Sequence, residues 1–159
     1  MKRRKLIRNI VIIGVAGLLT VGAVGLYMFN KPHRDVQSTG ADYVLSSSQI
    51  VQEYLTDSEA ANQKYLSADG DSKILEITGE ISKITENYNG QKVVLLKSSQ
   101  DKAGVSATFT AESNEKLSGK TPGQAITVKG VIRSGASYDE DLGLYENVLL
   151  EKSDVIKEN

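Results

Sequence analysis

Carboxylates are the side chains of this sequence best suited to catalysis, and several of them lie in one stretch. Asp139, Glu140 and Asp141 are consecutive, and Glu146 follows. Two such carboxylates close together could supply the acid and the base of a hydrolytic site. An acid-rich exposed loop is the simpler interpretation, because the sequence contains no nucleophile elbow, phosphate loop or metal-ligand cluster. The sequence therefore predicts a protein that is not an enzyme.

The residues that could hold a metal ion are few and scattered. Asp69 and Asp71 flank Gly70, but two carboxylates are too few for a calcium loop, which needs about six oxygen ligands. The single histidine, His33, lies in a polar stretch and is expected to be solvated. There are no cysteines, so thiolate metal sites, catalytic thiols and lipid-bearing cysteines are excluded. We expect no metal and no cofactor.

The candidate ligand-binding residues are basic and aromatic side chains of predicted strands and loops: Lys92, Lys97, Lys129, Arg133, Tyr88 and Tyr138. Proteins that bind single-stranded nucleic acid combine a basic groove with aromatic stacking platforms. Between Lys73 and Lys152 there are 10 basic residues and 11 acidic ones, which gives no basic excess. An ordinary solvated surface is therefore the simpler interpretation of these cations, and a local basic patch on outward strand positions is the alternative.

The longest predicted strand, Lys73–Glu86, must position these side chains. Leu75, Ile77 and Ile81 follow the period of a strand that buries one face. After Gly79 the apolar pattern falls one residue out of step, which predicts a bulge or a close approach of another part of the chain.

Four more strands and one short helix are predicted after this first strand. Asn89-Gly90 predicts a tight turn before the second strand. The predicted elements are strands at Lys92–Lys97, Gly104–Thr110, Ala125–Arg133 and Leu144–Leu150, and a short helix at Glu112–Leu117. Three strands, a short helix and two strands, with glycines at the bends, is the order of an OB-fold Greek-key barrel.

An amphipathic helix is predicted before the barrel, from about Ser47 to Leu66. Ser46 and Gln49 have the spacing of a capping box, and the apolar residues that follow have helical spacing. Asp57 and its neighbours are weak helix formers and good caps, so two short helices are the alternative to one. The predicted fold class is thus mainly β with helices (α+β): a five-stranded OB-fold barrel preceded by an amphipathic helix and an N-terminal transmembrane helix.

Residues 10–29 form the predicted transmembrane helix. These 20 residues carry no charge, and a helix of that length spans about 30 Å, the hydrocarbon thickness of a bilayer. A cleavable signal peptide is the alternative, with Ala23-Val24-Gly25 as its cleavage site. Five basic residues precede the segment, whereas Lys31 and Arg34 follow it closely, so the N-terminus is expected in the cytoplasm. The predicted localisation is a single-pass inner (cytoplasmic) membrane protein with an extracytoplasmic C-terminal domain.

The predicted organisation has four parts. They are a cytoplasmic basic head at residues 1–9, the transmembrane anchor at 10–29, a linker at 30–45, and the OB-fold domain with its N-terminal helix at 46–159. Of the 19 basic residues, 14 lie from Lys31 onward, against all 20 acidic ones, so the exported part is acidic.

Three segments of the chain also resemble a known family. They are Ser58–Tyr65 (SEAANQKY), Glu76–Ile81 (EITGEI) and Thr127–Gly130 (TVKG). From about Gln49 to the end, the chain resembles the tRNA-anti-like OB-fold family of bacterial membrane-anchored and lipoprotein chains. This sequence differs from many members by its transmembrane anchor in place of a lipidated cysteine and by an insertion at Leu66–Ser72. The family name implies nucleic-acid binding, and the resemblance implies no catalytic residues.

Two functions follow from these observations. The first is a membrane-anchored extracytoplasmic OB-fold binding module whose partner is a protein, peptide or glycan of the cell envelope. The anchor, its orientation and the acidic domain favour it. The alternative is an OB-fold protein that binds single-stranded or tRNA-like nucleic acid, which the fold and the family resemblance suggest.

Overall fold

The computed structural model describes residues 17, 20–24 and 35–158, and the chain divides into two units, residues 1–34 and 35–159. In the first unit the described residues are helical. Most of the predicted anchor at 10–29, and all of the basic head at 1–9, lie outside the described residues. Within the described part of the chain, no helix is both long and apolar enough to span a bilayer.

The second unit consists of eight strands and two α-helices among its described residues, with one 3₁₀ helix. In chain order these are β1 (Tyr43–Ser46), α1 (Ser47–Thr56), α2 (Ser58–Tyr65), β2 (Ile74–Glu86), β3 (Lys92–Leu96), β4 (Val105–Phe109), the 3₁₀ helix (Asn114–Leu117), β5 (Ala125–Ser134), β6 (Ser137–Asp139), β7 (Leu144–Glu146) and β8 (Val148–Glu158). The unit is mainly β with few helices, as the sequence predicts.

Five of these strands close into a barrel. Their order is β2-β3-β4-β8-β5, and β5 pairs back onto β2. The pairs are antiparallel except β4 with β8, which is parallel. This is the connectivity of a closed OB-like barrel, so the predicted barrel is confirmed.

The interior of the barrel is lined mainly by apolar side chains. Alternate residues of each strand point inward, as in Val94 and Leu96 of β3 or Val105, Ala107 and Phe109 of β4, and all five are fully buried. Each strand therefore contributes one face to a common core, which is what the period-two pattern predicts.

The predicted irregularity in β2 is confirmed. The register between β2 and β3 shifts between Ile81 and Lys83, which leaves one extra residue in β2. Gly79, just before it, lies against the start of α1: a Cβ atom there would lie 2.7 Å from the Ser47 Oγ and 3.0 Å from the Leu96 Cβ. Glycine is needed here because α1 approaches the strand closely.

The predicted amphipathic helix occurs as two short helices. Ser46 forms the expected capping box with Gln49 at the start of α1. Asp57 ends α1 and caps α2, because its side chain accepts a hydrogen bond of 3.0 Å from the Ala60 N–H. Tyr54 and Tyr65 of the two helices are buried against the barrel, which is the predicted role of the apolar stripe.

Residues 35–46, most of which the sequence analysis assigned to a linker, pack on the barrel. β1 pairs in parallel with β2, from Tyr43 opposite Leu75 to Ser46 opposite Thr78. Upstream, Val36 is buried with Ile74 and Val131 in a small second cluster. A strand of four residues without polar alternation gives no period-two signal, so β1 is not predicted from the sequence.

The predicted last strand, Leu144–Leu150, is two elements. Leu144–Glu146 is β7, which pairs with β6 in a separate two-stranded sheet, and the barrel strand β8 begins only at Val148 and extends to Glu158. Asn147 separates them, and its side chain accepts a 2.8 Å hydrogen bond from the Gly104 N–H. Both elements are extended, so the sequence pattern runs through the junction without a break.

Candidate ligand-binding surface

Two loops stand at opposite ends of the β3–β4 face. The first, residues 87–91, joins β2 to β3 and is hydrogen-bonded to Asn114, beyond the carboxyl end of β4. The second, residues 135–147, joins β5 to β8 and is hydrogen-bonded at Gly104, just before β4 begins. In OB folds the corresponding loops, with the face between them, commonly hold the ligand.

The first loop carries Tyr88 at its tip. The Asn87 side-chain oxygen accepts hydrogen bonds from the N–H groups of Asn89 and Gln91, and Gly90 has a φ of 72°. These contacts hold the backbone of the loop, and the predicted turn is confirmed. The Tyr88 side chain is fully exposed to solvent.

The second loop contains a structured hairpin, which we call the acidic hairpin and which comprises Ser137–Glu146. Tyr138 pairs with Tyr145 across β6 and β7, and the two ring centroids lie 4.8 Å apart. Asp139 closes the turn, because its carboxylate accepts a 2.9 Å hydrogen bond from the Leu142 N–H and its carbonyl accepts one of 2.8 Å from the Gly143 N–H. The hairpin is therefore a defined element with a hydrogen-bonded turn.

A cleft of about 420 Å³ lies between the acidic hairpin and α1. We call it the tyrosine cleft, and it is lined by Tyr54, Leu55, Ser58, Lys102, Ala136, Ser137, Tyr138 and Tyr145. The Lys102 Nζ lies 5.4 Å from the centroid of the Tyr145 ring, within the range of a cation–π contact. The cleft thus combines three tyrosine side chains, one cation and two serine hydroxyls.

Tyr54 forms the inner wall of this cleft. It is 2% exposed, and burial raises the pKa of its phenol to about 12, so the hydroxyl is protonated at neutral pH. That hydroxyl forms no hydrogen bond within the described residues. The ring lies on Gly135, where an added Cβ would be 1.9 Å from Tyr54 Cε1. The backbone at Gly135, just before the acidic hairpin and called here the base of the hairpin, therefore lies as close to the Tyr54 ring as a glycine allows.

A charged contact connects α2 to α1. The Glu53 carboxylate accepts hydrogen bonds from Lys64 Nζ at 2.9 Å and from the Tyr65 hydroxyl at 2.8 Å. The Lys64 hydrogen bond holds the pKa of Glu53 below its ordinary value.

The structure does not bring the four candidate cations together. Lys92 and Lys97 lie on or next to β3, whereas Lys129 and Arg133 lie on β5, and β2 separates the two strands in the sheet. Lys92 also falls in the same alternation as the buried Val94, so it is not on the outward row of β3.

Three of these cations are already engaged. Lys129 Nζ donates to the carbonyl oxygens of Gln37 at 2.6 Å and Thr39 at 3.1 Å. The Arg133 Nε lies 2.8 Å from a Glu151 carboxylate oxygen, and Lys97 Nζ donates to the carbonyl of Lys102. Much of the outer face of β5 is thus covered by residues 35–39.

The two candidate aromatics lie at opposite ends of the β3–β4 face. Tyr88 is in the first loop, and Tyr138, which is 51% exposed, belongs to the acidic hairpin. The sequence pattern does not predict that Tyr54, Lys102 and Tyr145 are neighbours of Tyr138. A hairpin that brings Tyr138 and Tyr145 together could have been predicted from two short segments, Ser137–Asp139 and Leu144–Glu146, which flank a turn that ends in glycine.

Among the residues that the structure describes, no group of three or more carboxylates or histidines is placed to hold a metal ion. The carboxylates of the acidic hairpin therefore do not form such a metal-binding group. Asp139 is occupied by its turn, and Glu146 accepts a hydrogen bond from the Ser137 hydroxyl.

The sequence model of one protein family, tRNA_anti-like, matches residues 1–142. The chain belongs to the tRNA_anti-like family. The match covers most of the chain, which agrees with the resemblance found in the sequence. A comparison with curated protein sequences gave no match.

Solved structures align with this chain at low sequence identity, and the first one described here shares its fold. A "putative nucleic acid-binding lipoprotein" from Klebsiella pneumoniae aligns with a TM-score of 0.51 and 18% identity, over 79% of this chain and 99% of its own. The S. pombe Stn1-ten1 complex aligns with a TM-score of 0.36 and 17% identity, over 54% of this chain and 59% of its own. An asparaginyl-tRNA synthetase from Entamoeba histolytica, in complex with asparaginyl-adenylate, aligns with a TM-score of 0.38 and 16% identity, over 55% of this chain and 21% of its own.

Proposed function

We propose that this chain is a non-catalytic binding module of the cell envelope. Its OB barrel is held outside the cytoplasmic membrane by a span at residues 10–29, and its partner is a protein or peptide. The observation that carries the proposal is the acidic hairpin, on which Tyr138, Leu142 and Leu144 are exposed and which also carries exposed carboxylates. Exposed apolar side chains on a rigid element are typical of protein-binding surfaces.

A protein partner fits this surface better than a glycan does. The side chains of Leu142 and Leu144 are 69% and 46% exposed, and neither can donate or accept a hydrogen bond. A sugar, whose surface is mostly hydroxyl groups, would lose water there without receiving polar contacts in return.

Single-stranded nucleic acid is the alternative partner. The exposed ring of Tyr88 favours it, since such rings serve as stacking platforms. Electrostatics oppose it, because the stretch 134–150 contains four acidic residues and no basic one, and the candidate cations lie on separated strands. Phosphate neutralisation by clustered cations supplies most non-specific nucleic-acid affinity.

An oligonucleotide titration distinguishes these two partners. We expect the full chain to bind labelled poly-pyrimidine DNA or RNA no tighter than about 10⁻⁴ M at physiological salt, the weak end of non-specific affinity. Micromolar affinity that weakens steeply with salt, and that is lost when Lys92, Lys97, Lys129 and Arg133 are all replaced by alanine, would establish the alternative.

The membrane location has its own test. The proposal rests on the uncharged residues 10–29 and on the five basic residues before them. Protease added to intact spheroplasts should degrade the domain and spare cytoplasmic markers. Full protection of the domain would contradict the proposed orientation, and a mature N-terminus near Gly25 would contradict the retained anchor.

A further inference from the structure

The acidic hairpin carries unpaired negative charge. Glu140 and Asp141 lie at its turn, are exposed, and form no ion pair or hydrogen bond within the described residues. The basic side chain that comes near is Lys102, and it lies over the Tyr145 ring. An incoming positive charge would therefore meet two free carboxylates at the turn, while Lys102 would keep it away from Tyr145.

The aromatic pair of the hairpin leaves one ring open. The Lys102 ammonium group lies over the Tyr145 ring, so one ring of the Tyr138–Tyr145 pair already contacts a cation. The neighbouring Tyr138 ring, 4.8 Å away between centroids, is half exposed. A lysine or arginine side chain from another protein could lie against it, in the same loop as the carboxylates of the turn.

The hairpin also offers apolar contact area and an unused hydroxyl. Leu142 and Leu144 provide exposed apolar surface on either side of Gly143. In the tyrosine cleft at the hairpin's base, the buried hydroxyl of Tyr54 has no hydrogen-bond partner among the described residues. A buried donor without an acceptor is costly, so a shift of the cleft wall on binding that brings a peptide carbonyl to this hydroxyl would be favourable.

We propose that the acidic hairpin and the tyrosine cleft together bind a protein segment in which basic and apolar residues alternate. Its cations lie against Tyr138 and the carboxylates of Glu140 and Asp141, its apolar side chains cover Leu142 at the turn, and a main-chain carbonyl accepts from Tyr54. This proposal rests on the proposed function and specifies the chemistry of the partner. Charge complementarity decides against nucleic acid and against anionic membrane surfaces, which the carboxylates repel.

The test uses the full chain in zwitterionic detergent and two short synthetic peptides, each with a benzophenone group for photo-crosslinking. One peptide alternates Lys and Leu, and the other alternates Glu and Leu. The adducts are mapped by mass spectrometry, and their yield is followed against peptide concentration. Partition of a peptide into micelles is the same for every variant of the chain, so differences between variants report the protein site.

We expect the Lys-Leu peptide to label the acidic hairpin and α1, with half-saturation at a concentration about tenfold lower than for the Glu-Leu peptide. The double variant Glu140→Gln/Asp141→Asn should raise the half-saturation concentration several-fold, and so should Leu142→Ser. The control variant Glu80→Gln/Glu115→Gln removes the same charge from exposed positions on β2 and the 3₁₀ helix and should change nothing.

The variant Tyr54→Phe tests whether the Tyr54 hydroxyl contributes to peptide binding and not to the stability of the free chain. Removal of an unpaired buried hydroxyl should leave the thermal midpoint of the free chain unchanged or higher, while peptide labelling weakens. Equal labelling of Tyr54→Phe and the native chain would remove the cleft from the site.

Labelling that spreads over the barrel, or that responds equally to the hairpin and control variants, would overturn the inference. The proposed function would still stand in that case if oligonucleotides fail to bind. Micromolar, salt-sensitive oligonucleotide binding would overturn the function itself, so the two failures can be told apart.

Discussion

Replacement of Gly135 by alanine tests the contact on which the tyrosine cleft depends. The new Cβ would lie 1.9 Å from Tyr54 Cε1 and 2.0 Å from Cδ1, whereas ordinary contacts of a Cβ atom are 3.4–4 Å. Tyr54 is 2% exposed and cannot move into solvent without opening the core. Either the ring or the base of the acidic hairpin must therefore shift by about 1.5 Å, which is the difference between the actual and ordinary contacts.

Overpacking of this kind costs about 1–3 kcal/mol. For a domain of this size we expect Gly135→Ala to lower the thermal midpoint by about 4–12 °C, measured by circular dichroism. Gly40→Ala is the matched control, because a Cβ at Gly40 would meet no atom within 4 Å. The φ of Gly135 is not in the left-handed region, so the effect would come from the contact and not from backbone strain.

A double-mutant cycle identifies the partner of the contact. Tyr54→Leu removes the ring, so Gly135→Ala should cost at least about 1 kcal/mol less in that background than in the native chain. An unchanged midpoint for Gly135→Ala, or equal costs in the two backgrounds, would refute the close packing of Tyr54 on the hairpin's base.

Three further changes test the surrounding structure. Gly79→Val should destabilise the barrel by about 1–3 kcal/mol because its Cβ would collide with Ser47 and Leu96, and a thermal midpoint equal to that of the native chain would contradict the close approach. Glu53→Gln should lower the free energy of unfolding in denaturant by up to about 1 kcal/mol at neutral pH. The pKa of Glu53 in the folded chain lies below 4.5, so its contribution to the free energy of unfolding is present above pH 4.5 and is lost as the pH falls through the folded pKa. A difference in unfolding free energy between Glu53→Gln and the native chain that persists in strong acid would be evidence against the Lys64 contact. Lys129→Met should speed hydrogen exchange in residues 35–41, and unchanged exchange would show that this lysine does not hold the segment.

The barrel could be predicted from the sequence because local signals and the fold agree. Strand periodicity, the Asn89-Gly90 turn and the capping box at Ser46 each depend on neighbouring residues alone. The bulge near Gly79 also leaves a local mark, since it shifts the apolar pattern by one position.

The candidate surface could be predicted only in part, because it depends on which strands become neighbours. Lys97 and Lys129 each follow apolar strand residues, yet the strands they belong to or follow are separated in the barrel, and Lys129 is bound by residues 37 and 39. Tyr54 and Tyr138 are distant in sequence and meet only in the folded chain. Long-range neighbours of this kind leave no periodic signal in the sequence.

Photo-crosslinking in living cells tests the central claim most directly. The full chain would carry p-benzoylphenylalanine in place of Leu142 on the acidic hairpin, or in place of Ser82, an exposed residue of β2 that serves as the control position. We predict an adduct at position 142 that is absent at position 82, is destroyed by protease and resists nuclease. An adduct at position 142 that nuclease destroys, or equal adducts at both positions, would contradict a protein partner bound at the hairpin.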